Sequence, residues 1–391
     1  MTSSTGIPKG AAIAISDMLD NCAQMQPGDN VLILSELEDL YNKDWAVDET
    51  AVSWIQQAVM MKGGNASVLW IDEAPAAHKW RIPPVVKAAL SGCDILINHS
   101  LNLVTEEQGE FREYINEHRI KMVRNFASTA PLLCSYWAQT PYELVSEIRK
   151  QAALTYRVGL PFMLEDVNGT HLEGSIAGFL AKPVCPENST YSPSRFDEGF
   201  YLPWPEWVHP PVNIANTCGV LVFDCMLSWW SRYVGISPYF EYPITMTVEN
   251  NRIVSIEGRK EADALKKFLT DMSERVGDSV WDFPCMHHGV HPQAIIGKHQ
   301  CPNINVRRTI EHSHSSNMHF HIGTQHSQVL LPDDYQYWMH CTGDIRHPTL
   351  KIGDTYAMID GHLTALDHPE VKAVAEKYPG RPGVSPMPVS F

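Results

Sequence analysis

Short apolar segments alternate with helical ones along residues 1–158, and this alternation constrains the fold more than any other feature of the chain. The strand-like segments are Val31–Leu34, Ser67–Ile71, Asp94–Asn98 and Lys121–Arg124. The segments with helical periodicity are Ala11–Met25, Glu49–Met61 and Pro141–Ala153. Strands that alternate with helices are typical of a parallel sheet with helices on its faces. We therefore predict an N-terminal α/β domain over residues 1–158.

The pattern changes at about residue 160, where short strands, turns and prolines replace the regular alternation. The clearest predicted elements of this second part are a buried strand over Gly219–Asp224, a hairpin over Ile244–Ile256 and a helix over Glu261–Val276. The pair Asn250-Asn251 favours a tight hairpin turn, because asparagine tolerates the left-handed backbone conformation that such turns need. We predict a C-terminal α+β domain over residues 159–391.

Composition and short motifs exclude several classes of function. The formal net charge is −15, and the chain lacks the clustered Lys and Arg that bind phosphate backbones. Neither G-x-G-x-x-G nor G-x-x-x-x-G-K-[ST] occurs, so the Rossmann-like first domain is not predicted to bind a nucleotide. No apolar run reaches the roughly 20 residues of a membrane helix, and no signal-peptide pattern is present. We expect a cytoplasmic enzyme with a small-molecule substrate and neither nucleic acid nor membrane as a partner.

Histidine is concentrated in the C-terminal third of the chain. Of the 18 histidines, 13 lie at or after His287. Imidazole is the commonest protein ligand for transition metals and titrates near neutral pH. Residues two apart on a strand share a face, so Cys285 with His287, or His319 with His321, can present two donors to one cavity. The concentration predicts a metal or acid/base site, although any single histidine is more commonly a surface or hydrogen-bonded core residue.

The order of features in the second part resembles the aminopeptidase T-like metallopeptidase family. The resemblance rests on the Gly219–Asp224 strand, the Ile244–Ile256 hairpin, the helix after it and the loop Gly289-Val290-His291-Pro292. It is strongest to a relative of the peptidases, 2,5-dihydroxypyridine 5,6-dioxygenase, a mononuclear non-haem Fe(II) enzyme that cleaves an aromatic ring. The resemblance spans most of the chain and implies an active site in the C-terminal domain and a homo-oligomer. It also implies one divalent transition metal ion, for which Fe(II) is the leading candidate.

The family motifs assign candidate metal ligands position by position. The family carries a ligand four residues before the loop glycine, where this chain has Cys285, and His287 or His288 is an alternative ligand beside it. The family strand H-x-A-x-G matches His319-Phe320-His321-Ile322-Gly323, which makes His319 the matching ligand. The last family motif, H-x-D, matches His347-Pro348-Thr349. With His321, which shares a strand face with His319, the candidate ligands are Cys285, His287, His288, His319, His321 and His347.

Three positions depart from the family pattern, and the first is Cys285, which stands where the peptidases have glutamate and the dioxygenase has histidine. Thr349 stands where the family has a carboxylate, which removes a charge from the 2-His-1-carboxylate set that suits Fe(II). His326 stands where the peptidases have a tyrosine, and Glu206 is a loose match to an early glutamate of the peptidases. The resemblance thus implies the scaffold more strongly than the reaction, and the metal is either held by other residues or absent.

Further candidates follow from residue type. His291 and His326 are candidates for moving a proton, and His171 and Glu173 alternate on a predicted strand and can form one acid/base pair. The remaining candidates contact the substrate: Trp204, Trp207, Glu206 and Thr349. For each tryptophan ordinary core packing is the competing interpretation, and for His171 and Glu173 it is an exposed turn.

Four functional hypotheses remain open from the sequence. The first is a metal-dependent enzyme for a small aromatic or heteroaromatic substrate, with ring-cleaving dioxygenation as the nearest analogue. The second is a metal-dependent hydrolase or aminopeptidase. The third is a metal-free enzyme in which Cys285 acts as a nucleophile beside His287 or His288, or histidines alone act as acid and base. The fourth is a binding protein without catalysis.

Overall fold

The computed structural model describes residues 6–36, 47–71, 82–99, 110–179, 201–205, 208, 211–325 and 339–388. The strands of these ranges are, in chain order, β1 (Asn30–Glu36), β2 (Asn65–Ile71), β3 (Ile95–Asn98), β4 (Lys121–Asn125), β5 (Pro161–Glu165), β6 (His171–Phe179), β7 (Tyr201–Trp204), β8 (Val212–Met226), β9 (Tyr239–Glu249), β10 (Arg252–Glu257), β11 (Cys285–His288), β12 (Asn317–Gln325), β13 (Met339–Arg346), β14 (Thr349–Ile352), β15 (Thr355–Ile359) and β16 (His362–Leu363).

The α-helices of the same ranges are α1 (Lys9–Asp17), α2 (Glu49–Met61), α3 (Pro84–Leu90), α4 (Glu110–Glu117), α5 (Ala130–Leu133), α6 (Tyr136–Gln139), α7 (Tyr142–Ala153), α8 (Ser228–Val234), α9 (Lys260–Val276), α10 (Ile304–Glu311) and α11 (Pro369–Glu376). A π-helical turn, Met18–Cys22, continues α1, and two 3₁₀ turns lie at Asp278–Trp281 and Thr364–Asp367. None of the helices within the described ranges has both the length and the apolar character that crossing a bilayer requires.

The predicted α/β unit is a parallel sheet with strand order β2-β1-β3-β4-β7. Apolar cores cover both of its faces, which is why its central strands are continuous apolar runs rather than alternating ones. Helix α2 shows how local sequence sets the boundaries. The Asp48 carboxylate accepts the Ala51 N–H at 2.6 Å, and Gly63, with φ of +83°, lets the chain leave the helix.

The edge strand of this sheet comes from the second half of the chain. Strand β7 pairs in parallel with β4, and the Phe126 N–H donates to the Trp204 carbonyl at 2.9 Å. The parallel sheet therefore includes residues beyond 158. The boundary at residue 158 stays a prediction, and it places β7 on the other side from β1–β4, the strands with which β7 forms one sheet.

The second unit is an antiparallel sheet built around the 15-residue strand β8. Strand β8 pairs with β6 and β9 along its length, with β11 near its start and with β13 near its end. Strands β9 and β10 form the hairpin predicted from Asn250-Asn251, and both asparagines are left-handed, with φ of 50° and 63°. The parallel and antiparallel sheets together confirm the predicted α/β class with an α+β second part.

Helix α10 contributes to both units because its two faces carry different residues. Val306 and Ile310, one turn apart, join the apolar core of the parallel sheet. Arg308 and His312 are also one turn apart but point the other way, since two residues correspond to about 200° of helical rotation. The amide of Asn303 caps the helix by accepting the Val306 N–H. The apolar face thereby fixes the position of the polar face over the antiparallel sheet.

Candidate metal centre

The candidate site begins with a row of polar side chains across three antiparallel strands. His287 of β11 lies opposite His319 of β12, which lies opposite Asp344 of β13. Directly opposed residues on neighbouring strands place their side chains on the same face. Cys285 and His321, two residues along each strand, occupy the next positions of that face. The sheet thus gathers both of the alternating pairs that the sequence indicated.

Helix α10 lies over this row and adds a third histidine. His312, at the C-terminal end of the helix, stacks its ring on that of His319 at a centroid distance of 3.5 Å and an angle of 18°. The ring of His287 approaches that of His319 edge-on at 4.7 Å. One ligand atom from each of these three histidines lies within 4.8 Å of those of the other two. We call His287, His312 and His319 the histidine triad.

All three histidines of the triad are buried, and His319 lacks hydrogen-bond partners among the described residues. His319 is fully buried, and within the described part of the chain neither of its ring nitrogens has a hydrogen-bond partner. Burial, together with the neighbouring imidazoles and Arg308, holds the pKa of His319 well below its usual value. Neutral imidazole is the form that binds metals. Buried polar nitrogens without partners cost about 1–3 kcal/mol each, and a metal ion bound to the unprotonated nitrogen would remove the cost at that atom.

A buried ion pair stands beside the triad. Asp344 and Arg308 are both 0% exposed, and the Nη2 atom of Arg308 donates a hydrogen bond to Asp344 Oδ2. Burial opposes ionisation of Asp344, but the charge of Arg308 and the hydrogen bonds from Arg308 and His312 outweigh it and hold the pKa of Asp344 below its usual value. The His312 Nδ1 lies 3.0 and 3.1 Å from the two carboxylate oxygens. Asp344 Oδ2 is 4.0 Å from His319 Nε2, so the carboxylate borders the triad.

A second chain of contacts joins Cys285 to the triad. Cys285 Sγ lies 2.9 Å from His321 Nδ1, and His321 Nε2 lies 3.3 Å from His287 Nε2. Burial raises the pKa of the Cys285 thiol, so the sulfur keeps its proton at neutral pH. A protonated thiol is a poor nucleophile. This environment disfavours Cys285 as a nucleophile and suits it to orienting His321.

Two glycines allow the strands and the loop after α10 to come this close. A Cβ at Gly289 would lie 2.2 Å from the His314 carbonyl oxygen, so only glycine fits where β11 ends against that loop. A Cβ at Gly343 would lie 2.3 Å from the ring of Phe320, which is its partner across β12 and β13. The absence of side chains here determines the spacing of the elements that carry the triad.

Three of the sequence candidates lie near the triad in the chain but belong to other contacts. His288 faces the other side of β11, stacks on Tyr156 at 5.8 Å, and has its pKa lowered to about 4 by burial. His291 accepts the Gln293 N–H at 3.1 Å, and burial lowers its pKa to about 3. His347 lies in the turn after β13 with φ of 56°, and burial and the charge of Arg346 lower its pKa. The structure does not bring these three into the triad.

The remaining described candidates lie on other surfaces. Thr349 of β14 bonds with Asp360, accepting its N–H at 3.0 Å. His171 and Glu173 are exposed on β6, and His171 Nδ1 lies 3.0 Å from Glu165 Oε1. Trp204 is buried in the core of the parallel sheet. Three further candidates lie outside the described residues: His326, Glu206 and Trp207.

Reasoning from sequence missed three residues of this site: Arg308, His312 and Asp344. His312 belongs to a histidine-rich group, His312-Ser313-His314, but no spacing marked it as a ligand. The family motif places a carboxylate two residues after His347, at the position of Thr349, whereas Asp344 precedes His347 by three residues. A signal for Arg308 and His312 was their spacing of one helical turn, opposite the apolar pair of the same helix.

Comparison with known proteins gives likeness in structure but not in sequence. No protein-family model and no curated protein matches the chain. The structure is similar to 2,5-dihydroxypyridine dioxygenase from Pseudomonas putida KT2440, with a TM-score of 0.58 and 12% identity over 91% of this chain and 98% of that one. It is also similar to wild-type AmpT from Thermus thermophilus, with a TM-score of 0.50 and 10% identity over 90% of this chain and 98% of that one.

These likenesses extend over nearly the whole chain and confirm the predicted architecture. At 10–12% identity they concern the fold, which is shared with a dioxygenase and an aminopeptidase. The chemistry of this chain has to be argued from its own residues.

Proposed function

We propose that the chain is a mononuclear metal-dependent enzyme that holds one divalent transition metal ion on His287, His312 and His319. The ion that we propose is Fe(II). We further propose that it cleaves the ring of a small aromatic or heteroaromatic substrate with dioxygen. In such a reaction a ring C–C bond breaks and both oxygen atoms enter the product, so no external reductant is consumed. The observation that carries the proposal is the buried histidine triad, with its ligand atoms within 4.8 Å of one another.

The donor set fits a transition metal ion rather than Mg²⁺ or Ca²⁺. Imidazole nitrogens suit iron, zinc, copper and nickel, whereas Mg²⁺ and Ca²⁺ take oxygen ligands. Both ring nitrogens of His319 lack partners among the described residues, so a metal would remove an existing cost rather than break hydrogen bonds. A bound Fe(II) ion would supply Lewis acidity toward substrate oxygens and the electrons that activate dioxygen.

The protein residues around the triad have distinct tasks in this proposal. His321 lies within hydrogen-bond distance of His287 and of Cys285 and can hold or move a proton beside the substrate. The buried sheet and α10 keep bulk water away from the triad, which strengthens electrostatic interactions there. Arg308 cancels the charge of Asp344, so three neutral imidazoles leave the charge of the ion available to an anionic oxygen of the substrate.

Oxygen uptake tests the proposed reaction. Protein loaded with Fe(II) without air is mixed with a panel of dihydroxylated benzoic and pyridine compounds in an oxygen electrode. We expect one substrate to consume one equivalent of dioxygen with loss of its aromatic absorbance, and His319→Leu to abolish the uptake. Iron bound at one equivalent with no uptake over the panel would contradict ring cleavage while leaving the metal site intact.

A metal-dependent hydrolase is the second candidate, because three neutral imidazoles are also a ligand set of catalytic zinc sites. Such an ion lowers the pKa of bound water to about 7 and makes it a nucleophile. Aminoacyl p-nitroanilides with the zinc-loaded protein test this candidate. Release of p-nitroaniline that depends on His319, together with absent oxygen uptake, would favour the hydrolase over the dioxygenase.

A further inference from the structure

Asp344 is the one described carboxylate at the triad, but its oxygens are already engaged. Arg308 donates to it through Nη2, and His312 Nδ1 lies 3.0 Å from the same carboxylate. All three side chains come from fixed elements, because β13 carries Asp344 and α10 carries or ends at the other two. A carboxylate held by two partners is poorly placed to become a metal ligand and well placed to orient one of them.

The contact between Asp344 and His312 determines which nitrogen of His312 carries the proton. An ionised carboxylate can only accept, so His312 Nδ1 must donate, and Nε2 retains the lone pair. Stacking on His319 at 3.5 Å between centroids also fixes the plane of the ring. Metal-binding histidines commonly donate their second nitrogen to a carboxylate in this way, and loss of the partner weakens metal binding.

We infer that Asp344, anchored by Arg308, is the positioning residue of the metal centre and presents His312 Nε2 to the ion. The inference rests on the proposed function, because it requires the triad to bind a metal. It replaces the carboxylate ligand expected from a 2-His-1-carboxylate set by a carboxylate that acts through a histidine. Arg308 contributes by keeping Asp344 in place and neutralising its buried charge.

The test separates orientation of His312 from stability of the fold. Removing Asp344 alone would leave Arg308 as an unpaired buried charge, so both residues are changed together. In the variant Arg308→Met/Asp344→Leu both charges of the ion pair are removed, together with the carboxylate that accepts from His312 Nδ1 among the described residues. In Arg308→Met/Asp344→Asn the amide oxygen can still accept from His312 Nδ1. Apolar replacement of a buried ion pair is often neutral for stability, which makes both variants suitable for binding studies.

The readouts are the dissociation constant for Co²⁺, measured by chelator competition, the visible spectrum of the Co²⁺ complex, and the melting temperature of the metal-free protein. We expect the Leu variant to bind Co²⁺ roughly 10- to 100-fold more weakly with an altered spectrum, and the Asn variant to recover most of the affinity. The partly exposed pair Asp224 and Arg346 on the same sheet, with Arg346 Nε 3.1 Å from Asp224 Oδ1, provides a control. Asp224→Leu/Arg346→Met should leave Co²⁺ affinity unchanged.

Equal Co²⁺ affinity and spectra in the wild type and in Arg308→Met/Asp344→Leu would overturn the positioning role while the metal site stands. Weakening of the same size in the Asp224 and Arg346 control would also overturn it, because the effect would then be a general loss of sheet stability. A wild type that binds no Co²⁺ would instead overturn the proposed function itself.

Discussion

Two buried histidines, one in each sheet, differ in how their ring nitrogens are satisfied. His99 follows β3 in the parallel sheet, with Nδ1 3.0 Å from Ser35 Oγ and Nε2 2.7 Å from Asn125 Nδ2. The Ala127 N–H donates to Asn125 Oδ1, so the Asn125 amide must donate to His99 Nε2 and His99 Nδ1 must carry the proton. His319 in the antiparallel sheet is equally buried but has no hydrogen-bond partner among the described residues.

The difference separates a structural histidine from a candidate ligand. Burial lowers the pKa of both, so burial and a perturbed pKa do not distinguish them. His99 completes a closed network at the carboxyl ends of three parallel strands, and its tautomer prevents it from acting as a base toward Ser35. The ring nitrogens of His319 lack the hydrogen bonds that buried polar groups normally form. Such a deficit is expected where a ligand is meant to supply the partner.

Replacing each histidine by leucine gives the largest expected contrast. His319→Leu removes the unpaired nitrogens along with a ligand, so we expect metal affinity to fall by at least about 100-fold. The metal-free protein should keep its stability within about 1 kcal/mol. His99→Leu should leave metal binding intact and cost about 2–4 kcal/mol, because Ser35 and Asn125 lose their partners. Chelator competition and urea unfolding of the metal-free proteins measure both quantities.

The comparison would fail if the two variants behaved alike. A His319→Leu variant that loses several kcal/mol without metal would mean that its nitrogens are satisfied in the folded protein. Metal loss in His99→Leu would link the two sheets in a way that the described contacts do not explain.

The pH dependence of stability tests the role assigned to His99. Its pKa in the folded protein is about 3 because of burial, below the value near 6.5 of an unfolded chain. Between these values the unfolded state binds the extra proton, so the stability from neutral His99 is present above pH 6.5 and is lost as the pH falls toward 3. At pH 4.5 the loss amounts to about 3 kcal/mol.

A variant that cannot titrate isolates this contribution. In metal-free protein, the stability difference between the wild type and His99→Gln should shrink by about 3 kcal/mol from pH 7 to pH 4.5. The other buried histidines titrate in both proteins and cancel. A difference that is constant over this range, measured by urea unfolding at each pH, would show that His99 is not held neutral.

Alkylation gives the smallest expected effect and concerns the thiol beside the triad. Cys218 is exposed, whereas Cys285 is buried with a raised pKa. Iodoacetamide should modify Cys218 quickly and Cys285 only on unfolding, and catalytic activity should survive. Peptide mass spectrometry at timed intervals follows both sites. Rapid modification of Cys285 with parallel loss of activity would favour the metal-free hypothesis in which this cysteine is a nucleophile.

The local elements of the fold could be predicted because their determinants are close in sequence. Helix α2 has the predicted bounds Glu49–Met61, set by the Asp48 cap and by Gly63. The hairpin turn at Asn250-Asn251 was equally local. Strand β7 was not predicted as part of the parallel sheet, because its pairing with β4 joins residues about 80 positions apart in a proline-rich stretch.

The candidate site was predictable only where it follows strand alternation. The pairs Cys285 with His287 and His319 with His321 follow from the two-residue period of a strand. His312 reaches His319 from a helix whose position is set by the packing of Val306 and Ile310 on the other sheet. Asp344 enters through the register of β12 with β13. Such contacts depend on tertiary packing, which no spacing in a single sequence records.

Metal content of untagged protein tests the central claim most directly, because His312 and His347 give opposite expectations. The protein is reconstituted with Fe(II) without air, freed of unbound metal and analysed for elements as the wild type, His312→Leu and His347→Leu. The histidine triad predicts one equivalent of iron in the wild type and in His347→Leu, and almost none in His312→Leu. Iron retained in His312→Leu but lost in His347→Leu, or no iron in the wild type, would contradict the triad as the metal centre.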